Sequence, residues 1–312
     1  MRQLPALLAA ALLMASPALA GPRVIASVAP VQSIVAAVMG DTGTPELLLQ
    51  GSMPEHRAVF TPSQIAALGD ADLVFIAGRG LEAKLAQISG SDAVNGKTFI
   101  ALSDAPGIGK LPVREGGAWE HGDHDHDHDH DHSHDAEGVL AFDPHIWLDP
   151  GNAKAMAREV AFRLARADPA NAATYAANGK AFAAEIDATT AAIAAELAPV
   201  KDKPFIVFHD AYQYFEKRFG LAGVGSISDV SARAPSAERL AAVRDKIVSA
   251  RAACVFREPQ YDGKLVQTVI EGTDARDGVL DPLGASLTPG PEAYPQLLRD
   301  LAKALKDCLS GG

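Results

Sequence analysis

The sequence predicts an α/β protein of two lobes, each a mostly parallel β-sheet flanked by helices, joined by one long rigid helix. Short apolar runs alternate with alanine-rich helical stretches, which is typical of parallel strands covered on both faces. These runs form two sets, separated by a long uninterrupted helical stretch. The chain has 312 residues and is 48% hydrophobic, so it is long enough for two domains with cores of their own.

Residues 1–20 are predicted to be a signal peptide. They carry one charge, Arg2, followed by an apolar run over residues 4–14 and by a small-x-small cleavage pattern over residues 18–20. A membrane anchor is the alternative, but the apolar run is shorter than the ~20 residues that span a bilayer. We therefore expect an exported chain that begins near Gly21.

The first lobe is predicted over residues 21–168, with a loop of different composition at 107–138. In this loop glycine and proline are frequent and aspartate alternates with histidine, which leaves too little apolar surface to fold. We expect a disordered loop whose imidazoles and carboxylates bind metal weakly; a merely solubilising charge run is the alternative. The predicted strands of this lobe are Val24–Val28, Glu46–Leu49, Leu73–Ala77 and Thr98–Leu102, and the histidines of the loop are His121, His124, His126, His128, His130, His132 and His134.

Residues 169–199 are predicted to form the linker helix. Of the 29 residues from 170 to 198, 14 are alanine, the residue with the highest helix propensity, and none is proline. Such a helix would measure about 43 Å and would join the lobes stiffly. The second lobe, residues 200–312, is predicted to contain the strands Phe205–His209, Val224–Ile227, Cys254–Arg257 and Val279–Leu280.

The net charge indicates which partners the chain can bind, and the cysteine count indicates whether it has a disulfide. The net charge is −11 and the chain has no basic cluster, so we expect no nucleic-acid partner, and the surplus of carboxylates favours cations. The two cysteines, Cys254 and Cys308, favour a structural disulfide in an exported chain; two free buried thiols are the alternative.

Three histidines outside the loop predict a metal site. His56 lies in the loop that follows a predicted strand, His209 ends another, and His145 lies in a proline-bracketed turn before a helix. Ligands of open α/β sheets bind beyond the carboxyl ends of strands, so imidazoles from both lobes can meet there. One such histidine is usually structural, but three of them beside a histidine-rich loop predict one shared ion.

The donor set favours Zn(II). Three imidazoles and one oxygen suit tetrahedral zinc, with Asp281, Glu55 or water as the source of the oxygen. Manganese would favour more carboxylates, and copper, although it binds more strongly, is usually excluded by supply. A zinc hydrolase with Glu55 as general base is a rival interpretation, but the sequence has no His-Glu-x-x-His motif, so we expect no enzyme.

The motifs resemble those of the zinc-specific solute-binding proteins of bacterial ABC importers, the ZnuA-like branch of cluster A-I. The resemblance covers essentially the whole mature chain and includes the acidic histidine loop. The motifs that carry it are Ser27-Val28-Ala29-Pro30, Pro54-Glu55-His56, Asp143-Pro144-His145-Ile146-Trp147, Phe208-His209-Asp210-Ala211-Tyr212, Cys254-Val255-Phe256-Arg257-Glu258-Pro259-Gln260 and Leu280-Asp281-Pro282-Leu283-Gly284.

The resemblance implies a periplasmic carrier that holds zinc between two lobes and delivers it to a membrane permease. We expect a monomer. A binding protein for manganese, copper or nickel, a metal buffer, and an adhesin are the alternatives. Asp281 is a ligand in manganese-binding relatives. Asp210 or Glu258 could orient an imidazole of the zinc site through a hydrogen bond to its other ring nitrogen. The other implied roles are metal ligation by His56, His145 and His209, an auxiliary role for Glu55, and a disulfide between Cys254 and Cys308.

Overall fold

The computed structural model describes residues 21–51, 53–91, 94, 98–114, 119 and 140–311. Within these ranges the chain forms two parallel four-stranded sheets flanked by helices, which confirms the predicted fold class. The strands are β1 Val24–Ala26, β2 Glu46–Leu47, β3 Leu73–Ile76, β4 Thr98–Ala101, β5 Phe205–His209, β6 Gly223–Ser228, β7 Cys254–Arg257 and β8 Arg276–Val279. The first sheet has the order β2-β1-β3-β4 and the second β6-β5-β7-β8.

Helices cover both sheets, and one of them joins the two halves. The helices are α1 Ala29–Met39, α2 Pro62–Asp70, α3 Ala83–Ser89, α4 Pro150–Ala167, α5 Ala172–Leu197, α6 Gln213–Phe219, α7 Ala237–Ser249, α8 Lys264–Ile270 and α9 Ala293–Ser310. None of the helices in the described ranges is both long and apolar enough to cross a membrane.

The joining helix α5 is slightly shorter than predicted. A 3-10 turn over Pro169–Asn171 precedes it, and its 26 residues span about 39 Å. It buries one stripe of residues at helical spacing, including Tyr175, Phe182 and Ile186, and packs against α1, α4 and α9. Gly179 lies in this stripe, and a Cβ placed there would contact Ala161 of α4 at 3.5 Å.

Strand β8 differs from its predicted position, Val279–Leu280. It spans Arg276–Val279, so it begins earlier and ends before Leu280. It is an edge strand that pairs only with β7, and three of its four residues are exposed, so its sequence is polar. Gly278 is required because a Cβ there would lie 2.5 Å from the Phe256 ring.

The largest hydrophobic core extends across both sheets. It includes residues from Val24 of β1 to Leu309 of α9, whereas two smaller clusters pack on the other faces of the sheets. Helix α9 belongs to both halves: the Tyr294 hydroxyl donates to the Trp147 carbonyl at 2.6 Å, and the disulfide between Cys254 and Cys308 holds its other end to β7. This disulfide confirms the predicted pairing.

The segment predicted as a disordered loop follows a defined path at its start. The Gly109 amide donates to Asn152 at 2.7 Å and the Leu111 amide donates to the Tyr214 hydroxyl at 3.0 Å. The predicted boundary at Gly107 is therefore too early, because helices distant in sequence satisfy these polar groups. The seven loop histidines, and the predicted signal peptide over 1–20, lie outside the described residues.

Candidate metal centre

Three local structures bring the candidate ligands together. Glu55 and His56 lie in a 3-10 turn that follows β2, with Pro54 preceding the turn. His145 directly precedes the 3-10 turn Ile146–Leu148, which leads into α4, and His209 is the last residue of β5. His56 and His209 thus lie at or beyond the carboxyl ends of strands in different sheets, as the sequence predicted.

The ligand atoms of Glu55, His56, His145 and His209 lie within 4.8 Å of one another. The Nε2 atom of His145 is 3.2 Å from the Nε2 atoms of His56 and of His209. Oxygen Oε1 of Glu55 is 3.7 Å from each of the three Nε2 atoms. Four donors therefore face one point between the two sheets.

These separations match a tetrahedral ion of zinc's size. Zinc–nitrogen bonds of about 2.0–2.1 Å place two tetrahedral ligand atoms about 3.3–3.4 Å apart. The observed 3.2 Å between nitrogen atoms and 3.7 Å between oxygen and nitrogen lie on either side of this value. Both Glu55 oxygens are buried without a hydrogen-bond partner among the described residues, and a bound cation would satisfy them.

Two carboxylates orient the buried imidazoles. Asp143 Oδ1 lies 2.9 Å from Nδ1 of His145, and Glu258 Oε2 lies 2.7 Å from Nδ1 of His209. Each carboxylate accepts the Nδ1 proton, so the Nε2 lone pair faces the centre. Glu258 thus has the orienting role considered for it from sequence; Asp143, two residues before His145 in the same motif, was missed.

The site is closed and electrostatically coupled. His145 and His209 are fully buried, and the His56 side chain is 6% exposed. Burial opposes protonation of His145, but the carboxylates of Asp143 and Glu55 outweigh it and raise its pKa to about 9.

The pKa values of His56 and Glu55 are both lowered. Burial, reinforced by the charges of His145 and His209 and only partly offset by Glu55, lowers the pKa of His56 to about 3. Burial alone would raise the pKa of Glu55, but its attraction to the three histidines lowers that pKa to about 2. Without metal, the centre therefore holds an ionised Glu55 and a proton on His145, and that proton must leave when a cation binds.

Asp281 is not one of the four residues that converge. Its Oδ1 accepts hydrogen bonds from the amides of Leu283 and Gly284, and its Oδ2 accepts one from the amide of Ala285 at 2.7 Å. Gln260 also donates to Oδ1, at 2.8 Å. Its carboxylate stabilises the turn after β8, and Glu55 supplies the oxygen of the candidate site instead.

Asp210 does not orient an imidazole either. Its carboxylate accepts hydrogen bonds from Arg114, whose guanidinium also donates to Glu216 at 2.7 Å. Burial raises the pKa of both Asp210 and Glu216, and Arg114 opposes this shift. Arg114 was not recognised from sequence, although it is the only arginine in the 107–138 segment.

Comparison with known proteins identifies close relatives over nearly the full length. Residues 24–308 match the family model described as ZnuA, zinc-uptake complex component A, periplasmic. A high-affinity zinc uptake system protein ZnuA of Brucella suis is 48% identical over 313 residues, covering 94% of this chain and 93% of the relative.

Solved structures agree with this fold. A crystal structure of ZnuA has a TM-score of 0.76 at 27% identity, covering 93% of this chain and 99% of that one. A laminin-binding protein of Streptococcus agalactiae, described as bifunctional with adhesin and metal transporting activity, has a TM-score of 0.76 at 25% identity, covering 93% of this chain and all of that one.

Proposed function

We propose that this chain, which belongs to the ZnuA family of periplasmic zinc-uptake components, captures Zn(II) between its lobes and delivers it to the permease of an ABC importer. Relatives named as high-affinity zinc uptake proteins cover more than nine-tenths of the chain, which supports uptake over storage. The zinc ion is cargo in this proposal. It binds, is carried and is released unchanged.

The proposed ligands are His56, His145, His209 and Glu55. The observation that carries the proposal is the equal 3.7 Å separation of one Glu55 oxygen from all three Nε2 atoms. A carboxylate with no hydrogen-bond partner among the residues that the structure describes, facing three imidazole nitrogens, is the donor set of a zinc ion held entirely by protein. We propose a ligand role for Glu55 rather than the auxiliary one first expected, and none for Asp281.

A carrier fits this geometry better than a hydrolase. Catalytic zinc sites keep one coordination position open for water or substrate, whereas four protein donors complete a tetrahedron. Glu55 would also have to act as a general base, but it faces the imidazoles at the centre of a buried site. Zinc-loaded protein is expected to hydrolyse neither ester nor peptide substrates, and zinc-dependent turnover of either would support the enzyme.

Segments outside the metal centre are proposed to serve export, zinc collection and zinc release. We propose that residues 1–20 direct export and that the loop at 107–138 collects zinc weakly before the cleft binds it. Release follows when a docked permease separates the lobe at 21–168 from the lobe at 200–312, with the helix at 169–199 limiting the movement. We propose that the protein acts as a monomer without a nucleic-acid partner.

A calorimetric titration tests the site directly. The mature protein is titrated with zinc beside the variant His56→Ala, His145→Ala, His209→Ala. We expect one tight site in the native protein and its loss in the variant, with weak sites retained. Tight binding that survives in the variant would place the principal site elsewhere. Parallel titrations with manganese, copper and nickel test the choice of metal.

A deletion separates the two proposed zinc functions. Removing residues 117–135 is expected to leave one tight zinc per molecule and to abolish the weak additional sites, because the four converging donors lie outside the deleted segment. Loss of the tight site in the deletion variant would show that the loop contributes ligands directly. The same calorimetric protocol and the intact protein serve as the control.

A further inference from the structure

Arg114 lies where the two lobes meet, close to the candidate ligands but not among them. It belongs to the segment that leaves the first sheet, yet its side chain contacts residues of the second lobe. Its side chain is 18% exposed, whereas those of Asp210 and Glu216 are 3% and 7% exposed. The mechanism proposed above assigns this ion cluster no role.

The contacts hold the guanidinium in one orientation. Its Nε atom donates to both Asp210 oxygens at 3.0 Å, and its Nη1 atom donates to Glu216 at 2.7 Å. The ring of Trp119 packs against the guanidinium, with 3.4 Å between the guanidinium carbon and the ring centroid. The planar guanidinium donates to two carboxylates and packs on an aromatic ring at the same time, which fixes its orientation. The ammonium of a lysine cannot make this set of contacts.

This cluster is connected to a ligand on each side of the cleft. Asp210 directly follows His209, so the ion pair constrains the end of strand β5. Three residues before Arg114, the Leu111 carbonyl accepts from the Asp143 amide at 2.9 Å, and Asp143 orients His145. The Tyr214 hydroxyl joins the same segments, since it donates to the Asp143 carbonyl at 2.9 Å and accepts from the Leu111 amide.

We propose that Arg114 is a positioning residue: it braces the segment that orients His145 against the strand end that carries His209, and thereby slows the release of zinc. The inference rests on the proposed zinc site and adds a determinant of how long the ion stays bound. Removing the guanidinium would leave two buried carboxylates without their cation beside His209. The end of strand β5 would then shift to relieve this unfavourable burial, and His209 would move with it.

The chain offers a matched control across the same boundary. Arg218 of α6 donates to Asp149, which caps α4, at 2.9 Å to Oδ2. This pair also joins the two lobes, but its side chains are 41% and 20% exposed, and neither residue neighbours a candidate ligand. An exposed pair of this kind contributes little, so Arg218→Met should leave zinc release unchanged.

The test measures zinc dissociation by stopped flow, with an excess of a fluorescent chelator as the trap, in native protein and in Arg114→Met, Arg114→Lys and Arg218→Met. We expect Arg114→Met to release zinc several-fold faster, by less than the roughly 10- to 100-fold typical of losing a group hydrogen-bonded directly to a ligand, and Arg114→Lys to be intermediate. Arg218→Met should stay within about twofold of native protein.

Melting temperatures of the zinc-free variants separate positioning from simple stabilisation. An arginine that only stabilised the fold would lower the melting temperature without changing the dissociation rate, and that result would overturn the proposal. If Arg114→Met does not fold, Arg114→Lys provides the test. A native rate of zinc dissociation in Arg114→Lys overturns the positioning role of Arg114, and a faster rate supports it. Absence of tight zinc in native protein would instead refute the proposed function.

Discussion

At the scale of single residues, the site depends on which ring nitrogen of each histidine is protonated. Glu258 and Asp143 accept the Nδ1 protons of His209 and His145, so Nε2 is the nitrogen of each ring that faces a bound cation. The ligand and its orienting carboxylate are 49 residues apart in one case and two in the other. Glu258 was considered from sequence and the nearby Asp143 was missed, because a motif does not show which carboxylate reaches a ring nitrogen in the fold.

Glu258→Gln should lower zinc affinity about 10- to 100-fold, because a neutral amide oxygen accepts the Nδ1 proton of His209 more weakly than a carboxylate does. Competition titration against a chelator of known affinity measures the change. Asp281→Asn is the control: the structure uses Asp281 to hold a turn, so its affinity should match that of native protein. An equal loss of zinc affinity in both variants would contradict this assignment and support Asp281 as a ligand.

The pH dependence of zinc affinity should begin well above the usual histidine range. His145 has its pKa raised to about 9 in the metal-free site, so it is protonated below that pH and zinc must displace the proton. Affinity is therefore greatest above pH 9 and falls about tenfold for each pH unit below it.

Titration at pH 7.5 in buffers of different ionisation enthalpy should detect release of about one proton per zinc from His145. Asp143→Asn removes the strongest partner of the protonated ring, so this variant should release fewer protons at the same pH. Equal affinity of native protein at pH 8.5 and 7 would contradict this electrostatic description.

The candidate ligands themselves could be predicted from local sequence, but their partners only in part. His56, His145 and His209 stand alone in apolar or proline-bracketed motifs, and these motifs lie at the carboxyl ends of strands or before a helix. Asp281 has a similar setting, yet its carboxylate is occupied by backbone amides of its own turn. A sequence shows the position of a carboxylate along the chain, but not which groups donate hydrogen bonds to it in the fold.

At the scale of elements, prediction succeeded where burial dominates the composition. Strands β5 and β7 were predicted at their observed bounds, because every residue of β5 and three of the four in β7 are buried. Strand β8 was misplaced because Arg276 and Asp277 are exposed on the sheet edge, so its first half lacks the apolar residues by which strands were recognised. Apolar periodicity locates central strands, while edge strands depend on partners that a sequence does not show.

The disulfide should stabilise the second half of the fold without affecting the site. It joins β7 to α9 across 54 positions, and the chain-entropy model gives about 4 kcal/mol for a loop of this length. The double substitution Cys254→Ala, Cys308→Ala should lower the free energy of unfolding of metal-free protein by about 2–4 kcal/mol, measured in urea.

Zinc affinity of that double variant should remain native, since neither cysteine is among the converging ligands. Reduced native protein provides the matched comparison, because it lacks the bond but keeps both side chains. A loss of zinc affinity in the variant but not in the reduced protein would indicate repacking around the substituted side chains. A loss in both would show that the bond itself holds the site.

At the scale of the whole molecule, the two lobes share a core, which limits how far they can separate. The largest cluster includes residues of both sheets, and Trp147 donates to the Pro282 carbonyl at 2.8 Å across the boundary. The sequence predicted the stiff helix α5 but not this continuity, because contacts between distant segments leave no local pattern.

Solution scattering of metal-free and zinc-bound protein should therefore give closely superimposable curves, because large rotations would expose the common core. The variant Arg114→Met is a useful comparison, since it removes one ion cluster at the boundary without replacing a residue of the shared core. A rotation of many degrees in native protein on zinc binding would contradict this prediction.

The position of α9 also affects the order in which a new chain can become functional. Its first turn lies on the first lobe, where the Tyr294 amide donates to Ser33 at 2.8 Å, although these residues are 261 positions apart. A nascent polypeptide therefore cannot complete its core until almost its last residues have emerged, even though His56 and His145 were synthesised long before. Late folding of this kind postpones metal capture until synthesis of the chain is nearly complete, because the core that holds the ligands together forms last.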